Sequence, residues 1–231
     1  QQVGAIRAGE KTMIRQLMKP QPETDHCIMT QAGLMVSSRP IEIKDGVIHA
    51  YMGSVTTWDF LPYHVGDILY VPETWRAEPI ESDDHLRYAI RLRGTGEDDE
   101  TVTEFSFLDN DRAKVWAKYR DRPEDEWVSP YFMPKEASRI FLQITKVTVE
   151  RLRDISEAAA IAEGVLWSPA TPNTDLLPVQ QFEKLWAQKR KPKDGKETSW
   201  EKNPWVWVLS VKQISREEAV KISLEIKKQL G

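Results

Sequence analysis

The sequence has very little cysteine: Cys27 is the only one among 231 residues. A single thiol excludes an intrachain disulfide and is typical of a reducing compartment. Long apolar runs are also missing, so the sequence predicts no membrane-spanning helix. The first residues lack an initiator methionine and a signal-peptide pattern, from which we expect a trimmed start and no membrane targeting. These absences together predict a cytoplasmic protein.

The motifs of common metal and nucleotide sites are missing as well. The histidines His26, His49, His64 and His85 show no ligand spacing with one another or with Cys27, so no metal site is predicted. The sequence contains no glycine-rich phosphate loop and no nucleophile elbow. It therefore gives no support to an ATPase, a dehydrogenase or an ordinary esterase, and no cofactor is predicted.

An excess of positive charge is the third absence. The chain carries 32 Lys and Arg against 36 Asp and Glu, a formal net charge of −4 at pH 7. Proteins that bind polyanions gain most of their affinity from surplus lysine and arginine. Any contact with nucleic acid must therefore be local. The acidic run 97–100 and the basic stretch 184–196 are more typical of solvated loops than of sites.

Tryptophan, in contrast, is abundant, with nine residues. Each indole needs a large pocket and a partner for its N–H group, so the surplus indicates heavily packed core corners or stacking surfaces. The chain length and a hydrophobic fraction of 40% suffice to bury a core in one large domain or in two small ones. We expect one decorated domain.

Local patterns predict a mixture of helices and strands. Asp45-Gly46 lies between two β-prone runs and is the strongest hairpin signal in the chain. Gly66 begins a short apolar run, which predicts a fully buried strand. Ser156 and Ser215 are expected N-caps, the latter in a capping box. The predicted elements are a helix that begins at Val3 and ends at Gly9, hairpin strands 41–44 and 47–51, strand 66–71, hairpin strands 86–92 and 102–107, a long strand 138–152, helices 157–163 and 180–188, a central strand 203–211, and a helix from 215 onward.

Several segments, in their order and spacing, resemble a known family. They are Gly9 to Arg15 with Lys19-Pro20-Gln21-Pro22, Gly66-Asp67 with Glu73-Thr74-Trp75, Met133-Pro134 with Ala137-Ser138-Arg139-Ile140, Asp154-Ile155-Ser156 with Ala162-Glu163-Gly164, and Ser199-Trp200 with Asn203 to Val208. Together they are similar to the ASCH family, a branch of the PUA-like β-barrels, in the larger form often encoded by phages and prophages. The resemblance implies an α+β fold, a PUA-like (ASCH) small mixed β-barrel with flanking helices and inserted hairpins. The match is poor at about 25–63 and 80–127, so we expect a single domain over 1–231 with insertions there.

The resemblance implies a cleft beside the Lys11 loop, and family members are predicted to bind RNA or other nucleotide-containing ligands. The expected ligand is therefore a nucleotide, a modified nucleoside or a single-stranded RNA or DNA segment, without membrane or metal. Lysine and arginine suit phosphate oxygens, so a rim of such residues is one reading and plain surface charge is the other. An aromatic ring at the cleft can stack on a base, although a core position is the alternative for Trp75 and Trp200. The candidate ligand-binding residues are Lys11, Thr12, Arg15, Glu73, Trp75, Lys135, Ser138, Arg139 and Trp200.

Some small bacterial members of the family are amidohydrolases that remove an acyl group from acylated cytidine with a lysine, a threonine and a glutamate. The resemblance places the lysine at Lys11 and the glutamate at Glu163, which are the catalytic residues only if the chain is an enzyme; a structural ion pair is the alternative. The threonine position holds Ile14, which has no nucleophilic atom. Thr12 lies two residues earlier, about 6 to 7 Å away in an extended chain. We therefore expect a binding module without appreciable deacylase activity.

A second hypothesis is a phage accessory or morphogenesis factor that serves as a docking scaffold. Ile14, the acidic net charge and the poorly matching regions favour it. In this case a phage or host protein is expected to bind through the stretch 80–127. For either hypothesis, a phage-encoded chain is expected in the cytoplasm of the host cell.

Overall fold

The structure is a computed structural model that describes residues 2–19, 21–22, 26–30, 33–37, 41–44, 47–50, 55–58, 61–78, 87–93, 101–107, 110–119, 122–123, 126–167, 176–189 and 198–230. The helices among them are α1 (Gln2–Arg7), α2 (Asn110–Ala117), α3 (Glu157–Ala162), α4 (Pro178–Lys189) and α5 (Arg216–Leu230). The strands are β1 (Met13–Leu17), β2 (His26–Thr30), β3 (Gly33–Ser37), β4 (Ile41–Lys44), β5 (Val47–Ala50), β6 (Val55–Trp58), β7 (Ile68–Tyr70), β8 (Trp75–Glu78), β9 (Arg87–Leu92), β10 (Thr101–Ser106), β11 (Phe141–Arg151) and β12 (Trp205–Ile214). These elements confirm the mixed α+β class, while the PUA-like barrel stays a prediction. None of the described helices has both the length and the apolar character needed to cross a membrane.

The chain divides into two compact units. Unit 1 comprises Gln1–Arg7, Ile68–Leu142 and Gln213–Gly231, and unit 2 comprises Ala8–Asp67 and Gln143–Lys212. Each unit therefore assembles from segments that are distant in sequence. The single domain with two insertions stays a prediction.

The central strand of unit 2 is β12, which has β1 on one side and β11 on the other. β1 is antiparallel to β12, with Met13 opposite Ser210 and Leu17 opposite Val206. Residues 205–209 of β12 are all buried, which agrees with a strand covered on both faces. The predicted central strand is confirmed.

Gln21 joins the chain beyond β1 to the start of β12. Its side-chain Nε2 donates to the carbonyl oxygens of Met18 and Trp205 at 2.7 and 3.0 Å. Its Oε1 accepts the Trp205 N–H at 2.7 Å. The side-chain amide of Gln21 thus extends the hydrogen bonding between the chain after β1 and the start of β12. The next residue, Pro22, has no N–H with which to extend it further.

Helices α3 and α4 complete the core of unit 2. The Ser156 hydroxyl caps α3 by accepting the Ala159 N–H at 3.2 Å, and Gly164 follows the helix with φ +88°, both as predicted. On α4, Phe182 and Trp186 are spaced by four residues and are both buried. They pack with Leu152, Ile155, Ala160, Val165, Val206 and Val208.

Five short strands of unit 2 lie between residues 26 and 58. β2, β3 and β6 form one antiparallel sheet, and β4 pairs with β5. The pairing of Ile41 with Ala50 and of Lys44 with Val47 confirms the predicted hairpin, although its turn residues 45–46 lie outside the described residues.

Unit 1 is built on the three-stranded sheet β10-β9-β8. β9 and β10 pair from Arg87 opposite Ser106 to Leu92 opposite Thr101, which confirms the second predicted hairpin. Much of the core of this unit comes from the stretch 80–127. The buried residues of this core are Trp75, Tyr88, Ile90, Leu92, Phe105, Phe107, Ala113, Tyr119, Val128, Met133 and Ala137.

Strand β7 differs from its prediction. The run 66–71 predicts a fully buried strand, but β7 covers only Ile68–Tyr70 and Tyr70 is 45% exposed. Gly66 takes a positive φ of 98° in the preceding turn, as a glycine can. The prediction of full burial is wrong because a short apolar run does not reveal whether both of its faces are covered.

Candidate functional site

Unit 2 contains four charged side chains that are connected through hydrogen bonds: Lys11, Arg15, Glu150 and Glu163. Lys11 and Arg15 are each 5% exposed and Glu163 is 2% exposed. The Glu150 side chain is 29% exposed. We call these four residues the charge network. It brings together three of the residues that the sequence singles out.

Glu163 is the centre of the charge network. Its Oε2 accepts a hydrogen bond from Lys11 Nζ at 2.8 Å, and its Oε1 accepts one from Arg15 Nη1 at 3.2 Å. Lys11 Nζ also donates to the backbone carbonyl of Glu163 at 2.6 Å. One carboxylate therefore holds two cations, and each of these hydrogen bonds is charge-assisted.

Arg15 extends the charge network to Glu150. Its Nε and Nη2 both donate to Glu150 Oε1, at 2.9 and 2.5 Å. The Arg15 guanidinium also lies 5.8 Å from the centroid of the Phe182 ring. Among the described residues, no group donates to the second oxygen of Glu150, Oε2. Two cations and two carboxylates balance, so the four side chains carry no net charge when ionised.

The backbone explains why these residues meet. The Thr12 N–H donates to the Ala162 carbonyl at 2.8 Å, and the Thr12 carbonyl accepts the Val211 N–H at 2.9 Å. The Lys11 loop is therefore attached both to the end of α3 and to β12. Glu163 is the residue at which α3 ends, where a cation such as Lys11 also satisfies the terminal carbonyl.

Two other candidates, Glu73 and Arg139, pair with each other in unit 1. Glu73 is 2% exposed, and its two carboxylate oxygens accept bonds from Arg139 Nε and Nη2 at 2.9 and 2.8 Å. Arg139 Nη1 also donates to the Thr101 hydroxyl at 2.6 Å. This guanidinium therefore already has a carboxylate partner.

The two tryptophans proposed for stacking occupy different surroundings. Trp75 is 1% exposed in the core of unit 1, with its ring centroid 5.4 Å from Trp116 and 5.0 Å from Tyr119. Trp200 is half-buried in unit 2 and lies 6.3 Å from Phe182 in an edge-on arrangement. Stacking on a base stays a prediction for both tryptophans. In this structure the Trp75 ring is surrounded by other side chains of the protein, among them Trp116 and Tyr119.

The remaining candidates are Thr12, Ser138 and Lys135. Thr12 is exposed beside the charge network. Ser138 is fully buried, and its hydroxyl donates to the Ile140 carbonyl at 3.1 Å. Lys135 is exposed in unit 1.

Sequence reasoning missed Glu150. In the sequence, Glu150 is an acidic residue within the long predicted strand 138–152, of which both faces are expected to be partly covered. This position is the sequence feature that could have identified it. Lone carboxylates are common, so this signal becomes informative only when a cation such as Arg15 is known to face the same strand.

Tyr63 and Glu78, neither of which belongs to the charge network, have shifted pKa values. Burial raises the pKa of the Tyr63 hydroxyl, whose ring lies 6.4 Å from Trp207 in unit 2. In unit 1 the hydrogen bond from Arg91 lowers the pKa of Glu78. The ion pair of Glu78 therefore contributes stability above the ordinary carboxyl pKa and loses it as the pH falls through the lowered value.

Within the part of the chain that the structure describes, no three His, Cys, Asp or Glu residues are grouped as metal ligands would be. Compared with family models, with curated proteins and with solved structures, the chain matches none. The ASCH resemblance therefore stays a prediction, and the functional argument depends on the geometry of the charge network.

Proposed function

We propose that the chain is a binding module for a nucleobase-containing ligand, a nucleotide, a modified nucleoside or a short single-stranded RNA or DNA segment, which binds beside the Lys11 loop. The observation that carries this proposal is the buried charge network of Lys11, Arg15, Glu150 and Glu163. The resemblance to the ASCH family supports the same location.

The energetics of burial make the charge network unusual for a purely structural core. Removing ionised groups from water costs several kcal/mol per ion, and apolar residues of similar volume often stabilise a protein as well or better. Buried ionisable groups beside a specific charge partner occur at functional sites as well as in structural ion-pair networks. Three such buried groups, together with the partly exposed Glu150, therefore support a role in recognition.

The arrangement favours a base over a phosphate as the recognised group. Lys11 and Arg15 already contact carboxylates, so a phosphate must displace Glu163 or Glu150 to reach them. Glu150 in contrast is partly exposed, and its Oε2 accepts no hydrogen bond from the residues that the structure describes. A carboxylate accepts N–H groups, such as the exocyclic amino groups of cytosine, adenine and guanine.

The test is a titration of the protein with cytidine, adenosine, guanosine and uridine at low salt. The amide NMR spectrum of the protein is recorded at each step. We expect shifts at Thr12, Glu150 and Glu163 with at least one amino-bearing nucleoside. We also expect Glu150→Gln to weaken that binding by about tenfold, because one charged acceptor is lost. Glu104→Gln is the matched control, since the Glu104 side chain is 60% exposed in unit 1.

Two results would contradict the proposal. One is a spectrum that no nucleoside and no short single-stranded oligonucleotide changes. The other is binding that Glu150→Gln and Thr12→Val both leave intact, which would place the ligand away from the charge network. The amide spectra of the variants alone report whether each one is folded.

Hydrolysis of acylated cytidine is the less favoured alternative. The contact between Lys11 and Glu163 suits proton transfer, but the position of the family's nucleophile holds Ile14, which lies opposite Leu209 in the sheet. Ile14 therefore leaves Lys11 and Glu163 without the attacking hydroxyl that the family uses.

A further inference from the structure

An open groove of about 620 Å³ lies within unit 1. It is bordered by α5, by β7 and the first residue of β11, and by the short 3₁₀ helix Lys135–Ala137. Its apolar lining consists of Ile68, Tyr70, Phe141, Ala219, Val220 and Leu224. We call it the α5 groove. It involves none of the four residues of the charge network.

The apolar lining of the α5 groove is unusually accessible. Tyr70 is 45% exposed, and Val220 and Leu224 are each 53% exposed. Val220 and Leu224 are four residues apart and therefore adjacent on one side of α5, while Ala219 is buried. Contiguous exposed apolar side chains of this kind mark interaction surfaces more often than isolated ones do.

Two of the three charged residues that line the α5 groove, Lys135 and Arg216, are cationic. Lys135 has no ion pair or hydrogen bond from its side chain among the described residues. Arg216 donates a hydrogen bond to the backbone carbonyl of Glu136, which is an uncharged acceptor, so this bond does not neutralise the positive charge of Arg216. The one acidic residue of the lining, Glu136, is already paired with Arg112. The groove therefore has a positive rim in a protein whose net charge is −4.

We propose that the α5 groove binds an acidic amphipathic α-helix of a partner protein. Its apolar residues, spaced i, i+3, i+4 and i+7, pack against Tyr70, Val220 and Leu224, and its acidic flank pairs with Lys135. A small molecule fits less well, because small-molecule sites enclose most of the ligand surface whereas half of the Leu224 side chain faces solvent. Charge complementarity selects an acidic helix over a basic one.

The probe is a synthetic fluorescein-labelled helical peptide with leucine at positions i, i+3, i+4 and i+7 and glutamate on both flanks. A second peptide keeps the leucines and replaces every glutamate with lysine. Fluorescence anisotropy with the full chain is expected to show that the acidic peptide binds about tenfold or more tightly than the lysine peptide. Lys135→Glu is expected to reduce or reverse this preference.

Substitutions in the apolar wall test the location. Leu224→Asp is expected to weaken binding of the acidic peptide by about tenfold or more, because it places a charge against the peptide's leucines. The matched control is Val115→Asp on α2, since Val115 is 61% exposed in the same unit and does not line the groove. Both positions are exposed, so the fold should tolerate the change, and circular dichroism checks this.

Absence of binding by the acidic peptide, equal binding of both peptides, or binding that neither Leu224→Asp nor Lys135→Glu changes would overturn the proposal. The proposal would also be overturned if sedimentation equilibrium showed a dimer that Leu224→Asp converts to a monomer. A second copy of the chain would then be the occupant of the α5 groove. Failure of the nucleoside titration has no bearing on these outcomes, since the two sites share no residue.

Discussion

At the scale of single residues, Glu163 determines how the buried cations of unit 2 are held. Its two oxygens accept bonds from Lys11 and from Arg15, so a change at Glu163 affects both partners. Glu150 then provides Arg15 with a second carboxylate. The side chains must therefore be analysed as one coupled set, for which double-mutant cycles are the appropriate measurement.

We expect the single variants Lys11→Met and Glu163→Leu each to destabilise the protein by about 3 to 5 kcal/mol. Each one leaves a buried charge of one sign in excess, which is the costly outcome for a buried ion pair. The double variant removes one charge of each sign and leaves Arg15 paired with Glu150, so it should cost less than either single change. Urea denaturation of all four proteins measures the coupling.

Purely additive costs in this cycle would show that Lys11 and Glu163 do not interact in solution. As a reference, the same cycle on Arg87 and Glu104 should give a coupling of about 0 to 1 kcal/mol, because both side chains are about half exposed or more and pair in solvent.

The sequence predicts part of the candidate site at this scale. The proximity of Lys11 and Glu163 follows from the family resemblance, with a structural ion pair as the open alternative. The pairs of Arg15 with Glu150 and of Glu73 with Arg139 were not predicted, because each joins residues more than 60 positions apart and no local pattern encodes which carboxylate a given arginine meets.

At the scale of elements, local chemistry predicts helix ends better than strand burial. The capping box is confirmed: Glu218 Oε2 accepts the Ser215 N–H at 2.9 Å, and the Ser215 hydroxyl accepts the Glu218 N–H at 3.2 Å. Caps are predictable because all their partners lie within a few residues. The burial of β7 was not predictable, because it depends on which distant segments cover each face.

Gln21 offers a test of how one side chain supports an element. Gln21→Ala removes the partner of the Trp205 N–H and the two bonds donated by Nε2. We expect a loss of about 1 to 3 kcal/mol, because the deleted bonds are partly buried. Urea denaturation measures the loss, and amide exchange should become faster at Trp205.

Gln16→Ala is the matched control, since Gln16 is an exposed glutamine on β1. Gln21→Glu separates the contributions, because it keeps an acceptor for the Trp205 N–H but loses both donated bonds. If Gln21→Ala and Gln16→Ala prove equally stable, the amide of Gln21 does not hold the start of β12.

At the scale of the whole molecule, the composition correctly indicates that the chain can bury a hydrophobic core. It does not indicate which segments supply the core residues. The stretch 80–127, predicted as an insertion, supplies Tyr88, Phe105 and Phe107 to the core of unit 1. The many polar residues of this stretch conceal its contribution when the sequence is read alone. The net charge, in contrast, is a property that the sequence states directly, and it constrains how the molecule can meet nucleic acid.

The final prediction concerns the salt dependence of that encounter. A protein that neutralises Z phosphates of a single strand loses affinity with a slope of about −0.7Z in log K against log salt concentration. The net charge is −4, and Lys11, Arg15 and Arg139 are already paired with carboxylates. We therefore expect about one or two phosphate contacts and a slope of about −1 for a fluorescein-labelled single-stranded oligonucleotide measured by anisotropy. Binding of an uncharged nucleoside should hardly change with salt, because a base edge on Glu150 releases no counterions.

A slope of about −4 or steeper would contradict recognition through the base, because about six phosphates would then be neutralised. In that case, charge reversal at the exposed Lys184 at the start of the basic stretch 184–196 would show whether that segment supplies the contacts.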